Sequence, residues 1–502
     1  MKNKTVNILC LATLGVFLLI MFQGKTHFFP QWKLEGMTQE VEKPKLNFDN
    51  FYHNRYQTNL EEYLRNNFGF RDVLIRLHNQ YLWDFYHKTY SDEVTIGKDN
   101  WLYFNFNVNE YYGKEMYRWV SKDNAVETFT RQMRLLNKLR YVLKSYDIEF
   151  MVFTSPDKAN LYPQYLPESD FDTTTIHAYD FYREAFTEFD FPYIDMNAWF
   201  KEMQDTLDFP AIPQASAHWV FPSVYAADSL FRFMAKEKGV TMPQIKIGGK
   251  TNNSAETVHV IRDLEYGLNL MRPIKLSKYK YYEREISVTA DSNAMKMNAI
   301  FVGNSFFRAF NQYLPLDEIF NEVHYWFYNM TDYYGPNLVK NTPIGRTDRL
   351  YEIINSDYIV WFTDNAQMYK ISYGFAEDAL IKLCVSDSLW DAEVTRYADS
   401  LNISAWEASL KLQANPELIK GLDVDKPTIR NTEGINAARR LYQKRHSSAT
   451  MMYEYAVEQM IEEIKGKPDL MEMIRKKAEE RNIPLEEMIE IDARWIVDHQ
   501  ED

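Results

Sequence analysis

The chain has 502 residues, 46% of them hydrophobic, with a formal charge of −14 and two cysteines. That is enough apolar material for one large core or two modest ones. The acidic balance, with no long basic block, excludes the electrostatic footprint of a nucleic-acid binder. Cys10 and Cys384 are too far apart to staple a small scaffold, which excludes an internal disulfide framework.

Lys2 and Lys4 precede an apolar run from Ile8 to Phe22, broken only by Thr13 and Gly15. Counted from Val6, the run reaches the roughly 17–20 residues a spanning helix needs. The leading positive charges put the N-terminus inside and the bulk outside. A cleaved signal peptide is the rival reading, but the exit, Met21-Phe22-Gln23-Gly24, offers no clean small-x-small site. The expectation is an uncleaved single-pass anchor over residues 1–24 in the inner (cytoplasmic) membrane, with the bulk extracytoplasmic or periplasmic. Residues 25–50, polar and holding Pro30 and Pro44, read as a linker.

Leu60 to Tyr86 has helical spacing, interrupted at Phe68-Gly69-Phe70-Arg71. "VTIGKDNWLYF" (94–104) reads as strand, turn, strand, a hairpin signal. Asp123 is a candidate cap for a long helix whose apolar stripe runs Val126, Phe129, Met133, Leu136, Leu139, Leu143. "IEFMVFT" (148–154) follows as a buried strand, then a helix over 179–189 and a short strand at 192–196. Helical spacing resumes over 219–236. Further strands are predicted at 299–303, 323–327 and 358–362, and the polar stretch 240–290 reads as a β-rich insertion. Strands alternating with helices imply an α/β fold with a mainly parallel sheet. The core domain is placed at 51–375. A Glu/Lys/Met/Leu-rich helical region fills 376–502, with helices at 469–481 and from Pro484 to about Val497.

Chemistry concentrates in two stretches. In "AIFVGNSFFRAF" (299–310) a buried strand ends at Gly303-Asn304-Ser305, where a helix begins. Ligands of open α/β sheets bind at the carboxyl ends of strands. Backbone N–H groups at the helix start can hold an oxyanion there, with Gly303 permitting close approach. Ser305 is either a nucleophile or an ordinary helix N-cap. A serine nucleophile needs a base, and of ten histidines His218 stands out, in "PQASAHWVFPSVYAADSLFRF" (213–233). Trp219 beside it can fix the ring's orientation; a purely structural histidine is the alternative. No His-x-x-x-His or Cys-x-x-Cys spacing, phosphate loop or dinucleotide fingerprint occurs, so neither metal nor cofactor is expected.

Together these stretches resemble the SGNH-hydrolase-like polysaccharide O-acetyltransferases of the alginate type (AlgX/AlgJ-like). In that family an Asp-x-His-Trp segment precedes a Gly-Asp/Thr-Ser-Phe/Tyr segment. Here Ser216-Ala217-His218-Trp219 precedes Gly303-Asn304-Ser305-Phe306. "NNFGFRDVLI" (66–75), "GKDNWLYF" (97–104) and "SPDKANLYPQYLP" (155–167) resemble three further family segments in the same order, so the resemblance spans roughly 50–375.

The resemblance implies an SGNH-like, flavodoxin-like sheet and acyl transfer. Ser305 would attack an acetyl donor, His218 would take its proton, and Gly303 and Asn304 would serve the oxyanion site. Lys158 and Trp219 are candidate substrate-binding residues. A membrane-bound O-acyltransferase would supply acetyl groups, and an exported polysaccharide would accept them.

One departure matters. The family's orienting Asp is Ser216 here, which can hydrogen-bond but carries no charge to stabilise an imidazolium. Asp364, after the strand at 358–362, and Asp157, after the strand at 148–154, are candidate replacements; each also suits a helix cap or turn. Two other readings follow: a non-catalytic glycan-binding or scaffolding subunit of an acetylation complex, and a carbohydrate acetylesterase.

Overall fold

The computed structural model describes residues 2–36, 41–171, 175–277, 279–385, 387–420 and most of 460–498. Pro484, expected to open the last helix, lies outside the described residues; the helix itself is described over Leu485–Asp498, and its neighbour over Pro468–Arg481. The N-terminal apolar run forms one helix, Lys2–Thr26, long enough at 1.5 Å per residue to cross a bilayer core and exposed over its apolar run, while Gln23 near its end is buried.

Eleven strands are found among the described residues. β1 (Val94–Ile96) and β2 (Leu102–Phe104) form the expected hairpin. β5 (Gln244–Thr251) pairs antiparallel with β6 (Glu283–Thr289). The remaining seven build the central sheet: β3 (Glu149–Ser155), β4 (Tyr193–Asp195), β7 (Asn298–Gly303), β8 (Glu322–Phe327), β9 (Thr331–Tyr334), β10 (Lys340–Pro343) and β11 (Tyr358–Asp364). Their order is β10-β9-β8-β7-β11-β3-β4. β8, β7, β11, β3 and β4 are parallel, and β9 and β10 are added antiparallel at one edge. The sheet is thus mainly parallel and flanked by helices, an SGNH-like α/β architecture.

Side chains alternate across each central strand, as the two-residue period of a pleated strand requires. Tyr358, Val360 and Phe362 of β11, Ala299 and Phe301 of β7, and Met151 and Phe153 of β3 enter one core layer. Ile359 and Trp361, Ile300 and Val302, and Phe150 and Val152 enter the other. Helix Ser223–Lys238 covers the first layer; helices Ala125–Lys144, Ala178–Glu188 and Phe375–Cys384 cover the second. Both faces being buried explains why these strands read as continuous apolar runs.

The stretch Leu60–Tyr86 is two helices, Arg55–Asn67 and Arg71–Tyr86, interrupted as expected at Phe68-Gly69-Phe70-Arg71, where Phe70 adopts a positive φ of 63°. Two local outcomes differ from the sequence pattern. The long helix after Asp123 begins at Ala125, with Asn124 at the N-cap position and no side-chain capping bond. The insertion at 240–290 holds the β5–β6 ribbon and also two short helices, Ala255–Val260 and Asp263–Gly267. The β1–β2 hairpin packs on the segment after β3: Trp101 stacks on Tyr165 at 4.3 Å. A Cβ at Gly97 would fall 2.2 Å from the Tyr165 carbonyl oxygen, so only glycine fits that crossing.

Candidate active site

β7, at the middle of the sheet, ends at Gly303. A Cβ there would lie 2.8 Å from Cβ of Phe362 on β11, so the absence of a side chain lets the two strand ends close up. Asn304 then turns the chain. Its side-chain oxygen accepts a hydrogen bond from the Phe306 N–H (3.1 Å), which makes Asn304 the N-cap of the following turn. Ser305 lies one step inside that turn, relieved of capping, and its hydroxyl is 2.8 Å from His218 Nε2. Of the two readings of Ser305, the N-cap role belongs to its neighbour.

His218 is held from several sides. Ser216 Oγ accepts from the His218 N–H and donates to the His218 carbonyl, both at 3.0 Å, fixing the backbone rather than the ring. The ring's Nδ1 lies 2.6 Å from Oδ2 of Asp263. The other oxygen of the same carboxylate accepts from the Ala217 N–H at 2.8 Å. Asp263 therefore grips both the imidazole and the loop bearing it. Asp263 opens the short helix of the insertion, which docks through the Leu264 N–H donating to the Ala215 carbonyl (3.2 Å). The result is an unbroken line Asp263–His218–Ser305, with the His218 and Asp263 side chains 29% and 19% exposed.

Neither sequence candidate for the orienting acid reaches His218. Asp157 caps the helix Lys158–Leu161, accepting from the Asn160 N–H at 3.1 Å, and bonds Asn107. Asp364 accepts from the Gln367 N–H (3.0 Å) and from the Asn304 side-chain amide (2.7 Å). Both carboxyls are fully enclosed. Burial pushes Asp157 up to about 6. Burial, and then the charge of Asp157, push Asp364 up to about 8. Groups held toward neutrality in this way are poor partners for an imidazolium.

Four other sequence expectations change. Lys158 is buried, and its Nζ donates to the carbonyls of Leu102 (2.6 Å), Pro213 (2.7 Å), Gln214 (2.9 Å) and Ser216 (2.7 Å). It lies 5.2 Å from the ring centres of Trp101 and Tyr103. Burial pulls its pKa down, opposed by the charges of Asp263 and Asp157. Four acceptors at such distances call for the ammonium form. Lys158 is thus an internal post that ties the His218 loop to the β1–β2 hairpin, out of reach of a substrate. Trp219 is likewise buried, its indole N–H donating to the Phe306 carbonyl at 2.8 Å, so it clamps the histidine loop to the serine turn instead of binding substrate. The Asn304 amide is turned to Asp364, and its backbone N–H points to the Phe362 carbonyl (3.4 Å), which takes it out of the oxyanion role. Gly303 contributes the close approach to Phe362 described above rather than a place for the oxyanion.

One residue that the sequence reading missed stands beside the serine. The Tyr328 side chain stands beside Ser305 and Gln367, close enough for both to act on its titration. Tyr328 sits just past β8 at a positive φ of 50°, with its N–H donating to the Gly303 carbonyl at 2.8 Å. Burial raises its pKa, keeping a proton available to donate.

Residues 94–210 match the sequence model of the SGNH hydrolase-like domain of acetyltransferase AlgX. The chain resembles that family there. The matched stretch holds the β1–β2 hairpin and the Ser155–Pro167 segment and stops short of His218, Asp263 and Ser305. Among curated proteins, none matches the sequence. Among solved structures, the chain is similar to the O-acetyltransferase domain of Pseudomonas putida AlgJ, at 13% identity and a TM-score of 0.36, over 55% of this chain and 92% of that one. It is also similar to Pseudomonas aeruginosa AlgX, at 12% identity and 0.33, over 56% and 65% of the two chains. Bacillus cereus PatB1 is similar at 14% and 0.34, over 56% and 99%.

Proposed function

We propose that the protein is a membrane-anchored, extracytoplasmic O-acetyltransferase that works through an acetyl-Ser305 intermediate. The observation that carries this reading is the continuous chain of contacts from Asp263 through His218 to the Ser305 hydroxyl. In the first half-reaction Ser305 Oγ attacks the donor carbonyl and His218 Nε2 takes the hydroxyl proton. Asp263 holds the ring and stabilises its charge. The oxyanion forms against the Ser305 N–H and the Tyr328 hydroxyl. Collapse expels the donor's alcohol, which recovers the proton from His218. In the second half a sugar hydroxyl gives its proton to His218 and attacks the acetyl carbonyl, forming the new ester and restoring Ser305.

The likeness to the AlgX-type domain supports a polysaccharide acceptor. The apolar helix Lys2–Thr26 supports the anchor, with its N-terminus inside and the bulk in the periplasm or outside. A membrane-bound O-acyltransferase is the partner we assign as acetyl supplier. With Asp263 present, the ground for a non-catalytic glycan-binding or scaffolding subunit, the missing acid at Ser216, falls away.

The test is turnover of a chromogenic acetyl ester by wild type and by Ser305→Ala. Turnover confined to the wild type supports the reading; equal turnover in both removes it. The partial exposure of His218 and Asp263 favours a second reading, an acetylesterase using water. Oligosaccharide acceptors decide between the two: a transferase acetylates them and an esterase leaves them unchanged.

A further inference from the structure

At the amino end of β8, the end of the sheet opposite Ser305, Glu322, His324 and Glu352 present one oxygen or nitrogen each within 4.8 Å of one another. They come from a strand and from the helix Arg349–Asn355. The cluster is more than a group of acids. His324 is 6% exposed, and its Nε2 is buried without a hydrogen-bond partner. That nitrogen lies 3.2 Å from Glu352 Oε2 and 3.5 Å from Glu322 Oε1, in ion-pair range of both but aligned as a hydrogen-bond donor to neither.

The other ring nitrogen is committed. Nδ1 donates to both oxygens of the buried Asp332, at 2.9 and 3.0 Å. Tyr334 stacks on the ring at 5.8 Å and 13°. A carboxylate behind Nδ1 with Nε2 facing outward is how proteins orient a metal-binding histidine.

We infer that His324 Nε2, Glu322 and Glu352 form a binding site for a divalent cation of the zinc class, with Asp332 as the residue that orients the histidine. The spacing supports this chemistry. Ligand atoms at about 2.0–2.1 Å from a tetrahedral zinc stand about 3.3 Å from each other, and the two nitrogen–oxygen separations bracket that value. Burial pulls the His324 pKa down, but the carboxylates of Asp332, Glu322 and Glu352 outweigh it and hold it up at about 10, so the ion takes the place of the Nε2 proton; the neutral imidazole and two carboxylates then balance its charge. The Glu322 side chain, 56% exposed, leaves an entry path and room for a water as fourth ligand. The sequence expectation of no metal rested on contiguous spacing motifs; these ligands come from segments 30 residues apart by number, with no such motif. A bound ion would tie β8 to the helix Arg349–Asn355, far from the triad, so its effect would fall on stability and leave the Ser305 chemistry intact.

The test is zinc uptake by the full-length chain after chelator treatment and dialysis, measured by isothermal titration with zinc chloride, with calcium chloride as the hard-cation control. The wild type should bind one zinc, prefer it over calcium, and melt a few degrees higher with it. Glu322→Gln combined with Glu352→Gln, which keeps His324 and its buried partner, should bind roughly 100-fold more weakly or worse and lose the thermal shift. His218→Ala should bind zinc like the wild type, which separates this site from the His218–Asp263 pair. Undiminished zinc binding by the double variant overturns the inference. So does a wild type that takes up no zinc, since the cluster is then an imidazolium paired with carboxylates and nothing more.

Discussion

Two regions offer acids to the same histidine, and they differ in what surrounds them. The carboxyl ends of β3 and β11 lead into Asp157 and Asp364, where sequence logic looks for an orienting acid. Both are sealed in, used as caps, and pushed by burial toward the neutral form. The outlying insertion, at first sight a decoration on the fold, supplies Asp263 at the rim, where the histidine can reach it. In the proposed mechanism the sheet would provide the nucleophile and a rigid frame, and a peripheral segment the charge. A strand end is therefore a good place to look for a nucleophile but a costly place to keep a carboxylate ionised.

The sharpest break in that comparison is removal of the line's reactive members. Ser305→Ala and His218→Ala are each expected to lower acetyl-ester kcat/KM by about 10⁴-fold or more, and the double variant should be little worse than either alone. Asp263→Asn should cost about 10²–10⁴-fold, mainly in kcat, whereas Asp157→Asn should stay within about tenfold of wild type. A larger loss in Asp157→Asn than in Asp263→Asn reverses the assignment of the two regions.

Lys158→Met tests the frame. It removes the ammonium from four buried carbonyls, of which Pro213 keeps the Ser216 N–H and Gln214 keeps the Leu102 N–H. The expected destabilisation is about 3–5 kcal/mol, read as a loss of unfolding midpoint in urea with little change in slope. A surface lysine would show almost none.

The buried acids also predict a pH signature in stability. Folding raises Asp364 from the usual 3.8 to about 8, so the folded chain holds a proton that the unfolded chain has released. That contribution is full below about pH 4 and is lost as pH rises toward 8. Asp157, raised to about 6, adds a loss over the lower part of the same window. Thermal melts from pH 5 to 8 should show this fall, and Asp364→Asn should flatten it. Tyr328→Phe should lower kcat by about 10²-fold, with KM little changed, if its hydroxyl serves as one oxyanion donor.

Much of this architecture was legible in the residues. Strands β3, β7, β8 and β11 announced themselves because both faces of the sheet are buried, which leaves unbroken apolar runs such as Tyr358–Phe362. Ser305 and His218 were legible as a pair through the order of the two segments that carry them. Asp263 was not, since it lies 45 positions from His218 in a polar stretch and meets it only through the docking of a short helix on Ala215. Lys158 misled for a related reason: a lysine after a strand looks solvated until the hairpin and the histidine loop close over it. Tyr328 gave no signal, because its reach to Ser305 depends on a positive φ at the end of β8.

The most direct measurement is acid-quenched acylation with a chromogenic acetyl ester, followed by peptide mapping by mass spectrometry. The account predicts the mass of one acetyl group on the peptide containing Ser305, appearing quickly in wild type, slowly in Asp263→Asn and not at all in His218→Ala. An acetyl group carried on any other residue, or full ester turnover with Ser305 never modified, contradicts it.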